Sequence, residues 1–145
     1  MTTRIYIPPP SRKQVRTWLM KHYGNGYWRG FEVPYWNTET TSPITSKRRP
    51  YAVNRFEINK YKRADLLFEK DGIIWICETE YKPLFSSIGQ LKTAKYWLPK
   101  CYPAAFKKKR IRLYLFTTLD DATVRIAAKN CGIRTIIMEN QGKIK

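Results

Sequence analysis

The chain holds a single histidine, His22, among 145 residues. Histidine-rich metal sites are therefore excluded, and Ser-His-Asp or Cys-His catalysis would have to use His22 itself. Its place near the end of an expected helix points instead to a solvated or capping role. Cysteine is scarce as well: Cys77, Cys101 and Cys131 are odd in number, and no pair has C-x-x-C spacing. That pattern argues against a disulfide framework or a zinc ribbon, and for three buried thiols in a reducing compartment. No apolar run approaches the roughly 18 residues of a membrane span, and the N-terminus shows no hydrophobic signal region. The expectation is a soluble, intracellular, cytoplasmic protein with no membrane partner. Acids are few: 11 Asp and Glu stand against 28 Lys and Arg, a net charge of +17.

Such an excess of positive charge implies a polyanionic partner, and nucleic acid is the commonest one. DNA is the expected partner; RNA and a homodimeric arrangement stay open. Apolar residues make up 43% of the chain, enough to bury a core, and the length corresponds to one domain spanning 1–145. Along the chain, Pro8-Pro9-Pro10 gives an extended lead-in and Ser11 is positioned to cap a helix over 12–23, ended by Gly24-Asn25-Gly26. Residues 27–36 are rich in aromatic and β-branched side chains and read as a strand. Residues 37–50 read as a mobile loop with a basic tip, and 51–58 as a second strand region. Residues 64–69, the Lys70-Asp71-Gly72 turn and residues 73–80 read as a hairpin. Ser86 or Ser87 is placed to cap a helix over 88–98, with Ile88, Leu91, Lys95 and Leu98 on one stripe and Pro99 as its stop. A strand over 111–117, a helix from Asp120-Asp121 to Asn130 and a strand over 133–138 complete the chain. With 51–58 and 64–69 counted as one strand region, the resulting order is α-β-β-β-α-β-α-β, an α/β domain with one mixed central sheet flanked by helices.

The acids are unevenly placed. Residues 65–80 hold Asp65, Glu69, Asp71, Glu78 and Glu80 against Lys70 alone, a net −4, so the other 129 residues carry +21. A chain that recruits phosphate gains nothing electrostatically from this cluster, whereas a hard divalent cation needs clustered carboxylates and reverses the local sign. Glu78 and Glu80 are two apart on a strand and point to one face. Pairing about the Asp71-Gly72 turn brings residues near 65 opposite residues near 78. Asp65, Glu78 and Glu80 are then expected to converge on one side of the hairpin, with Thr79 on the other, as ligands for one or two Mg²⁺ or Mn²⁺ ions. The competing reading makes Glu78 and Glu80 a solvated strand face. Glu69 and Asp71, beside the turn, read as solvated.

Arg63-Ala64-Asp65-Leu66-Leu67-Phe68, the Gly72 turn and Ile74-Trp75-Ile76-Cys77-Glu78-Thr79-Glu80 together resemble the PD-(D/E)XK nuclease superfamily. That group includes Holliday-junction resolvases and restriction endonucleases. The resemblance covers roughly residues 60–138 and implies a restriction-endonuclease-like αβββαβ core. It implies Asp65 and Glu78 as metal ligands, and Gln90, in Ile88-Gly89-Gln90-Leu91, as a residue that orders the site or touches substrate backbone. Ala64 stands where the family has Pro, and Glu80 where it has the catalytic Lys. The resemblance implies that Glu80, as in members that carry Glu there, is on the metal, and Lys82 is an alternative source of the cation. The helix over 12–23 lacks the acid many members carry, which Glu32 or Glu57 would replace.

Three basic runs flank this core: Lys47-Arg48-Arg49, Lys60 with Lys62 and Arg63, and Lys107-Lys108-Lys109-Arg110. With the overall charge they read as phosphate contacts. Tyr27, Trp28, Tyr35, Trp36, Tyr51 and Tyr61 accompany them, mostly as core or sheet residues, with one or two free to stack on unpaired bases. The sequence-level reading is a metal-dependent DNA endonuclease, with branched or structured DNA as one substrate class; the alternative is an inactive nuclease-fold DNA-binding protein.

Overall fold

The computed structural model of the chain describes residues 6–39 and 62–138. The expected strand over 51–58, most of the expected 37–50 loop, and Lys47, Arg48, Arg49, Glu57 and Lys60 lie outside the described residues. Helix α1 (Arg12–Tyr23) opens on a capping box: the Ser11 hydroxyl accepts from the Gln14 N–H, and the Gln14 side chain accepts from the Ser11 N–H. Strand β1 (Tyr27–Tyr35) follows, then β2 (Lys62–Lys70) and β3 (Ile73–Glu80). Asp71 and Gly72 join the last two with φ of 51° and 76°, the left-handed pair a two-residue hairpin turn demands. Helices α2 (Phe85–Cys101) and α3 (Pro103–Phe106) lead to β4 (Arg110–Thr117). Helix α4 (Ala122–Asn130), capped by Asp121, leads to β5 (Ile133–Ile137).

The five strands form one mixed sheet in the order β1-β2-β3-β4-β5. The first three are antiparallel neighbours, and β3, β4 and β5 run parallel. Parallel neighbours need a crossover, which α2 with α3 and then α4 supply. Alternation along the strands divides the core into two layers. Leu67, Ile74, Ile76, Leu113 and Leu115 pack with Leu91, Ala94 and Leu98 of α2, Phe106 of α3 and Ala128 of α4. Leu66, Phe68, Trp75, Cys77, Tyr114 and Phe116 pack beneath Val15 and Leu19 of α1. The described residues thus form an α/β domain with a mixed sheet and four helices. None of its helices is long and apolar enough to cross a membrane.

Several local expectations need correction. Helix α2 starts at Phe85, three residues before the expected position, and its N-cap, Leu84, has no side-chain cap bond; Ser86 and Ser87 lie inside the first turn. Its buried stripe is Ser87, Leu91, Ala94 and Leu98, with Lys95 exposed. Pro99 does not end it, because a proline near a C-terminus removes one hydrogen bond while the Tyr102 N–H still reaches the Leu98 carbonyl at 2.9 Å. The three cysteines are free thiols, but only Cys77 is fully buried, and Cys131 is exposed. Glu69 is not solvated: it is 5% exposed and paired with Arg29 and Lys109. A register shift between Trp28 and Gly30 places Arg29 as an extra residue in β1, between the Trp28–Phe68 and Gly30–Leu67 rungs, and its side chain reaches the Glu69 carboxylate.

Candidate active site

On β3 the sequence passes from Ile74 and Ile76 to Glu78 and Glu80 on the same alternation, so the apolar α2 side of the sheet ends in two acids. The sheet splits at this point. Pairing of β2 with β3 runs from Lys70↔Ile73 to Leu66↔Cys77 and stops. Beyond that rung, Lys62, Arg63 and Ala64 stay with β1, while Glu78, Thr79 and Glu80 stay with β4. A polar cleft of about 340 Å³ opens in the gap, lined by Asp65, Glu78, Glu80, Lys62, Arg63 and Gln90, with Tyr35, Glu32 and Thr79 completing its wall.

Side chains replace the missing backbone rungs. The Asp65 N–H donates to Glu78 Oε2 at 2.9 Å, and the Thr79 N–H donates to Asp65 Oδ2 at 2.9 Å. The Thr79 hydroxyl adds a longer bond to the same oxygen at 3.3 Å. Each carboxylate therefore satisfies an amide of the opposite strand that the split would leave unpaired. Thr79 belongs to this site rather than to the far side of the hairpin, because the strands part where simple alternation would have turned it away.

Glu78 is 6% exposed and has no basic partner among the described residues. Burial, then the charge of Asp65, with a lesser push from Glu80, raises its carboxyl to about 9. Burial and the nearby Glu78 charge likewise push the Tyr35 hydroxyl up to about 12. Tyr35 is an aromatic of the sheet, and its alternation with Val33 on β1 is the local signal for its burial.

The remaining candidates divide. Glu80 is half-buried, and its side chain has no ion pair or hydrogen bond among the described residues. Gln90, on the first turns of α2, is exposed at the cleft. Lys82 is not brought into the cleft: β3 ends at Glu80, and the Lys82 ammonium lies 5.6 Å from the Tyr81 ring. Glu32 does reach the wall, but it faces Arg12 and Arg63, each at 3.6 Å. Of the last basic run, Lys107, Lys108 and Arg110 are exposed, whereas Lys109 Nζ is bonded to Glu69 Oε2 at 2.5 Å. His22 is exposed, with its Nδ1 at 2.8 Å from the Trp18 carbonyl and its ring stacked on Trp18.

Hard carboxylate oxygens at a polar cleft are the donor chemistry that Mg²⁺ and Mn²⁺ prefer. Asp65 and Glu78 meet this requirement as a facing pair, each with one oxygen outside the amide bonds just described. The set is not closed, however: among the described residues no group of three or more His, Cys, Asp or Glu side chains is gathered to hold a metal ion. Comparison with family models, with curated proteins and with solved structures finds no match to this chain.

Proposed function

We propose that this chain is a divalent-metal-dependent DNA endonuclease of PD-(D/E)XK type, with a restriction-endonuclease-like core and its site in the split between β2 and β3. The observation that carries the reading is the Asp65–Glu78 pair. Two acids face each other in a cleft, one of them buried, and no cation neutralises either among the described residues. Mutual repulsion and burial make such a pair costly when both acids are ionised, so the site holds either a proton on Glu78 or a cation that displaces it. In a chain of net charge +17, it is an acidic exception inside a surface suited to phosphate.

Asp65 and Glu78 would hold Mg²⁺ or Mn²⁺, and Glu80, which lines the same cleft, would have to move toward them to serve as a third donor. The ion would supply Lewis-acid polarisation of a phosphate and a lowered pKa for water. Lys62 and Arg63 at the rim would take the flanking phosphates, and Gln90 would position the strand by hydrogen bonding. Lys107, Lys108 and Arg110 would extend the phosphate track.

A second reading, an inactive nuclease-fold protein that binds DNA, is favoured by one observation: the third carboxylate does not close the ligand set. A single experiment separates the two. The purified chain is incubated with single-stranded, duplex and branched DNA, with Mg²⁺, with Mn²⁺ and with chelator. The nuclease reading expects metal-dependent cutting that Asp65→Asn and Glu78→Gln abolish while DNA binding is kept or improved. Tight binding with no cutting in any metal on any substrate selects the second reading.

A further inference from the structure

The face of the sheet beneath α1 ends in a second cleft, of about 320 Å³, that shares no residue with the acidic one. Helix α1 stops at Tyr23, whose ring packs over the buried Trp75, and leaves Arg112 on β4 exposed. There the register sets Trp75 beside Arg112, and Tyr114 beside Arg134. Alternation puts these side chains on the side of the sheet away from Glu78.

Arg134 is fixed in place by neutral groups. Its Nη1 donates to the Tyr23 and Tyr114 hydroxyls at 3.4 and 3.3 Å. Its guanidinium lies 5.7 Å from the Trp18 ring and 5.6 Å from the Tyr114 ring. The two tyrosine hydroxyls are bonded to each other, which holds both acceptors steady. Lys70 is already engaged, donating to the Tyr23 carbonyl at 2.6 Å. The Arg112 side chain makes no ion pair or hydrogen bond among the described residues, and the one acid at the cleft, Asp71, pairs with neither arginine.

Two guanidiniums brought to one pocket, neither paired with a carboxylate among the described residues, repel each other, so the arrangement favours a bound anion. A guanidinium oriented by ring contacts keeps further N–H donors in a planar fork, the geometry that suits phosphate. The other wall is apolar and aromatic: the Tyr23 and Trp75 rings lie 4.8 Å apart, and the buried Trp75 indole N–H has no hydrogen-bond partner. A phosphate fork beside an aromatic wall matches one chemical unit, a nucleotide.

We propose that this pocket binds the phosphate of a nucleotide through Arg112 and Arg134, with the base on the side where the Tyr23 ring covers Trp75. It is a binding site separate from the acidic cleft and needs no metal. The test is therefore run in EDTA, where failure of the nuclease reading leaves it standing. Affinity is measured by fluorescence anisotropy with a 3′-labelled thymidine tetranucleotide carrying a 5′-phosphate. Arg112→Gln/Arg134→Gln is expected to weaken binding about tenfold more than Lys95→Gln/Lys100→Gln, which removes the same charge from α2 on the other face. Arg134→Lys keeps the charge, loses the fork and is expected to weaken binding severalfold; being an exposed single change, it decides the matter if the double variant does not fold. Equal weakening by the two double variants, or no effect of Arg134→Lys, overturns the proposal. The source of the phosphate is read from two further arms. Loss of the Arg134 dependence without the 5′-phosphate assigns a strand end, and its retention assigns an internal phosphodiester. Displacement of the tetranucleotide by AMP shows that a free nucleotide suffices.

Discussion

Glu69→Gln is the perturbation that most directly separates a surface acid from a structural one. The Arg29 Nε lies 2.6 Å from Glu69 Oε1, and the Lys109 Nζ 2.5 Å from Oε2. Glutamine keeps the shape, but it carries no charge and turns an N–H₂ toward one of the two cations. Hydrogen bonds to charged groups contribute roughly 1.5–3 kcal/mol each. The Arg29 and Lys109 side chains are 43% and 27% exposed, so solvent screening discounts both. The expected loss is about 2–3 kcal/mol, or roughly 6–10 °C in Tm at this chain length. A solvated glutamate replaced in the same way would change stability by about 0.5 kcal/mol or less. Urea unfolding followed by tryptophan fluorescence reads the difference. The pH dependence has a definite sign. Burial alone would raise the Glu69 carboxyl, but the bonds and charges of Arg29 and Lys109 outweigh it and hold the group below its ordinary value. Its contribution is therefore present above the unfolded value, near 4.3, and is lost as pH falls through the folded one. The gap between wild type and variant should be full at pH 7 and close in strong acid. A gap below about 0.5 kcal/mol at neutral pH, or one unchanged in acid, would refute the ion-pair reasoning.

Three further outcomes are expected. In chelator, wild type should lose stability relative to Glu78→Gln as pH rises toward 9, by at most about 1.4 kcal/mol per pH unit. Burial and Asp65 raise Glu78 to about 9, so the folded chain retains a proton that the unfolded chain releases at much lower pH; parallel stability curves for the two proteins would contradict this. Glu80→Ala should damage cleavage as severely as Glu78→Gln if Glu80 is a metal donor, whereas Glu80→Lys should preserve or create activity by restoring the family pattern; gel assays of both variants distinguish the roles. Duplex DNA affinity should fall roughly 10³-fold or more between low and moderate salt if six or more phosphates are contacted, and a salt-insensitive Kd would count against a phosphate-dominated surface.

Much of the fold was legible because its signals are local. Ser11 with Gln14, Gly24 and Asp121 mark helix ends through hydrogen bonds that span only a few residues. Asp71-Gly72 specifies a hairpin through backbone sterics alone, and the hairpin by itself brings Asp65 opposite Glu78. The facing of those two acids therefore follows from turn chemistry and a period of two. The net charge and the concentration of acids in residues 65–80 are likewise properties of the sequence alone.

What the tertiary structure decided depends on partners distant in the chain. Past Leu66↔Cys77 the β2 end stays with β1 and the β3 end with β4, strands that lie outside the hairpin. The resulting split opens the cleft, turns Thr79 into a donor to Asp65 and buries Glu78 beside Tyr35. Glu69 looked solvated next to its turn because its two cations come from 40 residues away on either side. Arg112 and Arg134 carry no motif, and only the parallel pairing of β4 with β5 brings them to one pocket. Propensity and alternation operate over a few residues, so they determine elements and faces; the charge environment of a side chain is set by the strands packed beside it, and that is fixed only when the sheet assembles.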